Sequence, residues 1–276
     1  MDPGTLYVVA TPIGNLEDLS FRAVRVLKEV DLVAAEDTRR TLALLRRYGV
    51  HTPLTSYHEH NEKEKARELL ALLQQGKNIA LVSDAGTPGI SDPGFRLVEA
   101  AARAGVPVSP VPGPVAFAAA LSASGLPSDR FAFEGFLPAK KSARRRRLEE
   151  LRDEQRTLIF YEAPHRLGEA LRDLLEIFGD RRAVVAREFT KIHEEFVRGR
   201  LAELAGRFAA AETRGEVTLI VEGAGTKAPP ADAELAAEIA RLKGEGMRAK
   251  EIAEALARKY ACSKKEIYRL AVTAGG

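Results

Sequence analysis

The sequence predicts an α/β protein of two successive α/β units followed by a small helical tail. Three observations carry this reading. Short apolar, β-branched runs alternate with helix-like stretches over residues 5–108, the rhythm of an open, mainly parallel sheet. A second series starts at Ser128, and its later strands are closely spaced, which gives it an antiparallel character. After Gly223 strand-like runs cease, and a linker leads into three helical stretches.

In chain order, residues 5–10 read as a buried strand and 20–28 as a helix with Phe21, Val24 and Leu27 or the Lys28 stem on its apolar side. Strand 31–35, helix 38–47, helix 61–75, strand 78–82, a mostly helical 90–104 and strand 106–108 complete the first series. Residues 111–116 lead into a helix of small residues, 116–124, that lets another element lie close. The second series has strands at 130–136, 157–161, 183–188, 195–198 and 216–222, with helices at 142–153, 165–178 and 201–210. Domains are therefore placed at 1–117, 118–224 and 225–276.

In the last of these, 224–230 is a Pro/Gly-containing linker and 232–243, 248–260 and 263–272 are helices. Ser263 and Glu266 form a capping box. The final pair of helices resembles a helix-turn-helix, or equally a small bundle. Cys262, between them, reads as a small packing residue rather than a reactive thiol.

Composition narrows the class. Of 276 residues 45% are hydrophobic and 29% charged, which permits a core and excludes a disordered chain. A single cysteine excludes an internal disulfide framework and points to a reducing compartment, with the cytoplasm as default. No run approaches the roughly 18 apolar residues of a membrane span, and the start lacks the pattern of a secretory leader. The net charge of +3 is uneven: residues 225–276 hold ten basic and seven acidic side chains, so the rest balances at 32 against 32. Within that neutral part, Lys140, Lys141, Arg144, Arg145, Arg146 and Arg147 form a run without an acid. It reads either as a solvated helix face or as a polyanion contact, guanidinium forks being matched to phosphate oxygens.

In α/β proteins chemistry gathers in loops at the carboxyl ends of strands. Four loops stand out: Thr11-Pro12-Ile13-Gly14-Asn15-Leu16; Glu36-Asp37-Thr38-Arg39-Arg40, where capping and solvation are the plain alternative; residues 83–94; and Val111-Pro112-Gly113-Pro114-Val115-Ala116. The third packs three Gly and two Pro into the eleven residues from Asp84, a preformed cradle that lets backbone approach a ligand. Dinucleotide and P-loop signatures and the G-x-S-x-G elbow are absent. His58 and His60 lack a third ligand at conventional spacing, so no metal is expected.

These loops, together with Phe160-Tyr161-Glu162-Ala163-Pro164-His165-Arg166 and Arg187-Glu188-Phe189-Thr190-Lys191, resemble the ribosomal RNA small-subunit methyltransferase I family of the tetrapyrrole-methylase fold class. The resemblance runs from Thr5 to about Gly223 and more weakly through the tail. It implies S-adenosylmethionine held in a cleft between the two α/β domains, 2′-O-methylation of a cytidine in the decoding region of 16S ribosomal RNA, free or in the 30S subunit, and a homodimer. Carried over residue by residue, it assigns the cofactor to Pro12, Ser83, Asp84, Ala85, Gly86, Thr87, Gly89, Val115, Ala116, Tyr161 and Glu162. Relatives acting on corrins and porphyrins have a Gly-Pro-Gly-Asp type loop where this chain has Thr11-Pro12-Ile13-Gly14-Asn15, which favours the RNA branch.

A ribose hydroxyl is a poor nucleophile, so a base or a nearby charge is expected. Asp84, inside the cofactor loop, is the first candidate and His58 the second. Arg39, Arg187 and Lys191 are candidate phosphate contacts, and the run 140–147 with Lys264 and Lys265 supplies a sequence-independent RNA grip. Two alternatives stand beside this reading: a methyltransferase of tetrapyrroles or other small molecules, and a non-catalytic RNA-binding assembly factor.

Overall fold

The computed structural model describes residues 2–209, 215–225, 232–260 and 263–273. Its first unit runs β1 (Leu6–Val9), α1 (Phe21–Glu29), β2 (Leu32–Ala35), α2 (Thr38–Arg47), β3 (Leu54–Ser56), α3 (Glu62–Gln74), β4 (Ile79–Val82), α4 (Phe95–Arg103) and β5 (Val108–Val111). All five strands are parallel, in the order β3-β2-β4-β1-β5. Every residue of β4 is buried, as expected of a parallel strand covered on both faces. One core layer holds Val26 and Leu27 of α1 and Leu45 of α2; the other holds Leu69 and Leu73 of α3 and Leu97 of α4. Because β4 lies between β1 and β2, the loops leaving all three meet at one edge of the sheet.

Several expectations shift here. Phe21 is 97% exposed; α1 buries Leu27 as expected, together with Ala23 and Val26. The helix expected from residue 90 starts at Phe95, because the Gly/Pro loop continues to Gly94. β5 begins two residues later than anticipated and contains Pro110, tolerated on an edge strand. β3, only three residues long, was not anticipated.

The second unit runs α5 (Ala116–Ser124), β6 (Phe131–Phe136), α6 (Lys141–Leu151), β7 (Thr157–Glu162), α7 (Leu167–Phe178), β8 (Arg182–Arg187), β9 (Glu195–Arg200), α8 (Leu201–Arg207) and β10 (Val217–Val221). Its sheet order is β6-β7-β10-β8-β9, with β6 and β7 parallel and the other pairs antiparallel. One face packs against α7 and α8 through residues such as Leu171, Leu174 and Leu204. The other packs Ile159, Val184 and Ile220 against Ala120 and Leu121 of α5 and against Ile13 from the first unit. The chain therefore changes sheets at residues 112–115, and residue 117 lies inside a helix that sits on the second sheet. Gly113 allows the crossing, since a Cβ there would stand 2.8 Å from the Cβ of Ala10.

The arginine run is not an exposed cationic face. Consecutive helical residues point about 100° apart, so four in a row encircle α6. Arg144 faces α7, where its side chain is 1% exposed and donates to Asp173 at 2.7 Å and to Glu169 at 3.1 Å. Arg145 pairs with Asp173 and Glu176, and Arg147 with Glu134 and Glu150. Glu169, Asp173 and Glu176 recur at helical spacing and form the stripe that receives two of these arginines. Lys140, Lys141 and Arg146 remain exposed, and none of the three has a salt bridge among the described residues.

The tail contains α9 (Asp232–Gly244), α10 (Ala249–Tyr260) and α11 (Lys264–Thr273), joined by their own core around Ile239, Ile252, Leu256 and Ile267. The Ser263 hydroxyl accepts the Glu266 N–H at 3.4 Å, the first half of the anticipated cap. Cys262 and residues 226–230 of the anticipated linker lie outside the described residues.

Candidate functional site

A cleft of about 400 Å³ lies between the two sheets. The glycine/proline loop after β4 forms one wall and is fastened on three sides. To the first loop, Thr11 N–H donates to Gly86 O at 2.8 Å, Gly86 N–H returns to Thr11 O at 3.0 Å, and the Thr11 hydroxyl donates to Ser83 O at 3.0 Å. To the fourth loop, the Thr87 hydroxyl donates to Pro114 O at 3.2 Å. To the loop after β2, the Asp84 carboxylate accepts the Asp37 N–H at 3.0 Å through one oxygen and lies 3.2 Å from Arg40 through the other. Gly86 adopts φ +88°, a left-handed conformation that an L side chain enters only at a cost.

The opposite wall comes from the second sheet. The Tyr161 hydroxyl accepts the Phe117 N–H at 3.2 Å, and burial pushes its pKa up to about 12. Glu162 is buried; one carboxylate oxygen accepts from Ala163 N–H at 2.8 Å and Arg166 at 2.6 Å, while Oε2 has no partner. Burial raises its pKa. Residues 188–191 close the rim against the first loop, where a Cβ on Gly14 would come within 2.8 Å of Thr190 Oγ1 and Lys191 Cγ. The non-glycine residues at positive φ in the described chain are Ser91 (62°), Glu188 (53°) and Thr190 (58°), and all three belong to loops bordering this cleft. Strain concentrated in this way marks functional loops.

The wall is strongly acidic. Glu36, Asp84, Asp92, Glu162, Glu188 and Glu216 line it, against Arg40 and Lys191. Asp84 pairs with Arg40, Glu162 with Arg166 and Glu188 with Lys191. Glu36, Asp92 and Glu216 have no salt bridge among the described residues. Desolvation, followed by the field of Glu36, pushes the pKa of Asp92 up to about 7 against a hydrogen bond from Ser83. Burial likewise raises that of Glu36.

Of the residues singled out in the sequence, Asp84, Ala85, Gly86, Thr87, Val115, Ala116, Tyr161, Glu162 and Lys191 line the cleft. Ser83 and Pro12 are buried behind it, and Gly89 stands outside the lining. His58 also stands outside; its Nδ1 is buried without a partner. The Asp84 carboxylate is occupied on both oxygens, which makes it a fastener between loops rather than a free base. Arg39 is exposed and pairs with Asp37 at 2.8 Å, and the neighbouring Arg40 reaches the cleft in its place. Arg187 pairs with Glu195, Lys264 pairs with Glu254, and Lys265 is exposed on α11.

Glu188, a candidate polar group at a strand end, also lines the cleft, whereas Ile13, Glu36, Asp92, Phe136 and Glu216 were not singled out. Glu36 directly follows β2 and Asp92 sits in the conspicuous loop, so the strand-end rule points to both. Glu188 and Glu216 come together only through the antiparallel β8–β10 pairing, which sets Arg187 opposite Val217. Among the described residues no group of three or more His, Cys, Asp or Glu side chains is arranged to hold a metal ion.

Residues 5–205 match the tetrapyrrole (corrin/porphyrin) methylase family. The chain is 55% identical over 245 residues to the ribosomal RNA small subunit methyltransferase I of Pseudomonas aeruginosa, spanning 88% of this chain and 86% of the relative. With the protein of the same description from Halalkalibacterium halodurans it shares 48% identity over 274 residues, 98% and 95% of the two chains. Among solved structures, the uroporphyrin-III C-methyltransferase of Thermus thermophilus complexed with S-adenosylhomocysteine superposes with a TM-score of 0.56 at 25% identity, covering 79% of this chain and 97% of that one.

Proposed function

The chain belongs to the tetrapyrrole (corrin/porphyrin) methylase family and, within it, to the small-subunit ribosomal RNA methyltransferases I; from that premise we propose that it methylates the 2′-hydroxyl of a cytidine in the decoding region of 16S ribosomal RNA. The methyl donor is S-adenosylmethionine. The observation that carries this reading is the charge of the cleft, six carboxylates against two cations. Such a wall suits a ligand bearing sulfonium and ammonium charges and repels phosphate, so an RNA backbone stays at the rim while a ribose hydroxyl enters.

The residues present fit this donor. The fastened backbone of residues 84–87, with Ile13, Val115 and Ala116 as apolar walls, would hold it, and the unpartnered Oε2 of Glu162 offers an acceptor to its polar groups. When bound, it supplies a methyl group on a sulfonium, activated for displacement by an oxygen nucleophile.

The chain orients the hydroxyl and takes up its proton. Asp92 is the base in this reading, since it lines the cleft, has no counter-ion, and titrates near neutrality, where a general base is most effective. Asp84 acts through position, by holding the loop. With Arg144 committed to the core, the RNA grip falls to Lys140, Lys141 and Arg146. Arg39, Arg187, Lys191, Lys264 and Lys265 are secondary phosphate contacts, and Arg145 and Arg147 must exchange a carboxylate for a phosphate.

No helix of the described residues is long and apolar enough to cross a membrane. The reading is completed by a cytoplasmic homodimer, checked by light scattering at twice the chain mass. The test of function is transfer of labelled methyl from S-adenosylmethionine to 30S subunits that lack the modification, with a porphyrinoid in parallel. Label in 16S RNA supports the reading, and label on the porphyrinoid alone overturns it.

A further inference from the structure

The mouth of the cleft carries an aromatic ring that the fold leaves in water. Phe136, at the end of β6, is 55% exposed and lines both the cleft and a second, shallower depression that contains Arg146 and Pro138. Its ring is not loose: it meets Tyr161 edge-on, with centroids 5.5 Å apart and planes at 61°. A register shift interrupts the β6–β7 pairing between Phe133 and Phe136. Gly135, at φ +65°, brings the backbone so close to the cofactor loop that a Cβ there would stand 3.3 Å from Ser91 Oγ. Four residues after Phe136, Lys140 directly precedes α6; it and Arg146 are exposed and have no salt bridge among the described residues.

A nucleotide whose ribose enters the cleft must be splayed from its neighbours, and its base then needs a flat apolar surface. Of the other aromatic residues lining the cleft, Phe189 is buried and Tyr161 half-buried, whereas Phe136 stands exposed at the opening with Arg146 in the depression beside it. We propose that Phe136 is the platform on which the base of the target nucleotide stacks, with Lys140 and Arg146 receiving the flanking phosphates. This assignment rests on the ribosomal RNA reading and says where on the chain that substrate is gripped.

Stacking on an aromatic side chain contributes roughly ten- to hundred-fold in affinity per base. In methyl transfer to 30S subunits lacking the modification, Phe136→Leu should raise KM for the subunit about ten-fold or more, and Phe136→Tyr should stay within about two-fold of wild type. Calorimetric binding of S-adenosylhomocysteine should be unchanged in both. The double variant Lys140→Gln/Arg146→Gln should flatten the slope of log affinity for subunits against log salt by about 1.4, and Phe136→Leu should leave that slope alone. An unchanged KM in Phe136→Leu overturns the platform, as does an equal loss of S-adenosylhomocysteine binding, which would place the ring against the cofactor. A wild-type enzyme that methylates no ribosomal RNA would instead overturn the functional reading beneath it, and this assignment with it.

Discussion

Arg144 Nε donates to Asp173 at 2.7 Å where the two side chains are 1% and 5% exposed, a charge pair taken almost wholly out of water. Removing Arg144 leaves Asp173 buried with only the half-buried Arg145 beside it, a loss of up to about 3–5 kcal/mol. Arg144→Ala should therefore lower the free energy of unfolding by up to that amount, whereas Arg146→Ala, on the exposed side of the same helix, should change it by less than about 0.5 kcal/mol and weaken subunit binding. Urea melts of the two variants check this. Equal effects would mean that the four arginines are one solvated face.

Asp92 gives a pH dependence of known sign. Its folded-state pKa of about 7 lies above the ordinary 3.8, so as a base it is competent only above that value, and kcat should fall as pH drops through 7. Stability runs the other way. The ionised, half-buried carboxylate is a penalty fully present above pH 7 that is relieved as pH falls toward 3.8. Asp92→Asn should accordingly abolish most methyl transfer and melt higher than wild type at pH 8, with the difference shrinking by pH 5. Thermal melts and single-turnover rates across that range decide it. A variant that retains the wild-type pH–rate profile would remove Asp92 from the proton transfer.

Asp84 should behave as a fastener. Its carboxylate links the cofactor loop to Asp37 and Arg40. Asp84→Ala should raise KM for S-adenosylmethionine about ten-fold or more, the effect of losing a charge-assisted hydrogen bond. It should keep the pH–rate profile of the wild type. A loss confined to kcat, with cofactor binding intact, would restore Asp84 as the base.

Gly86 tests the shape of the same loop. At φ +88° an alanine is strained, although its Cβ would meet nothing nearer than Ile13 Cγ2 at 3.5 Å. Gly86→Ala should cost about 1 kcal/mol in stability. Because both of its hydrogen bonds to Thr11 position the cleft wall, S-adenosylhomocysteine affinity should fall as well, measurable by calorimetry. Wild-type affinity would show that this stretch does not touch the cofactor.

The parallel half of the fold was legible because its strands, buried on both faces, read as short unbroken apolar runs. β3 escaped because three residues carry no period, and β5 was displaced because Pro107 and Pro110 obscure its ends. The cofactor loop announced itself by its glycines and prolines. Asp92 did not, since an aspartate before a proline looks like any turn residue until its burial is known. The arginine run misled for a related reason. Adjacent charges say nothing of the carboxylates on α7, which lie 25 to 31 residues downstream and become neighbours only when the two helices pack.

Alkaline hydrolysis reads the chemical position of the transferred methyl group directly. 30S subunits lacking the modification are incubated with the protein and methyl-labelled S-adenosylmethionine, and the 16S RNA is then hydrolysed to completion. A 2′-O-methyl group blocks cleavage of its own phosphodiester, so label is expected in one alkali-resistant dinucleotide that begins with a cytidine of the decoding region. Label in mononucleotides, which marks methylation of a base, or no label in 16S RNA would contradict it.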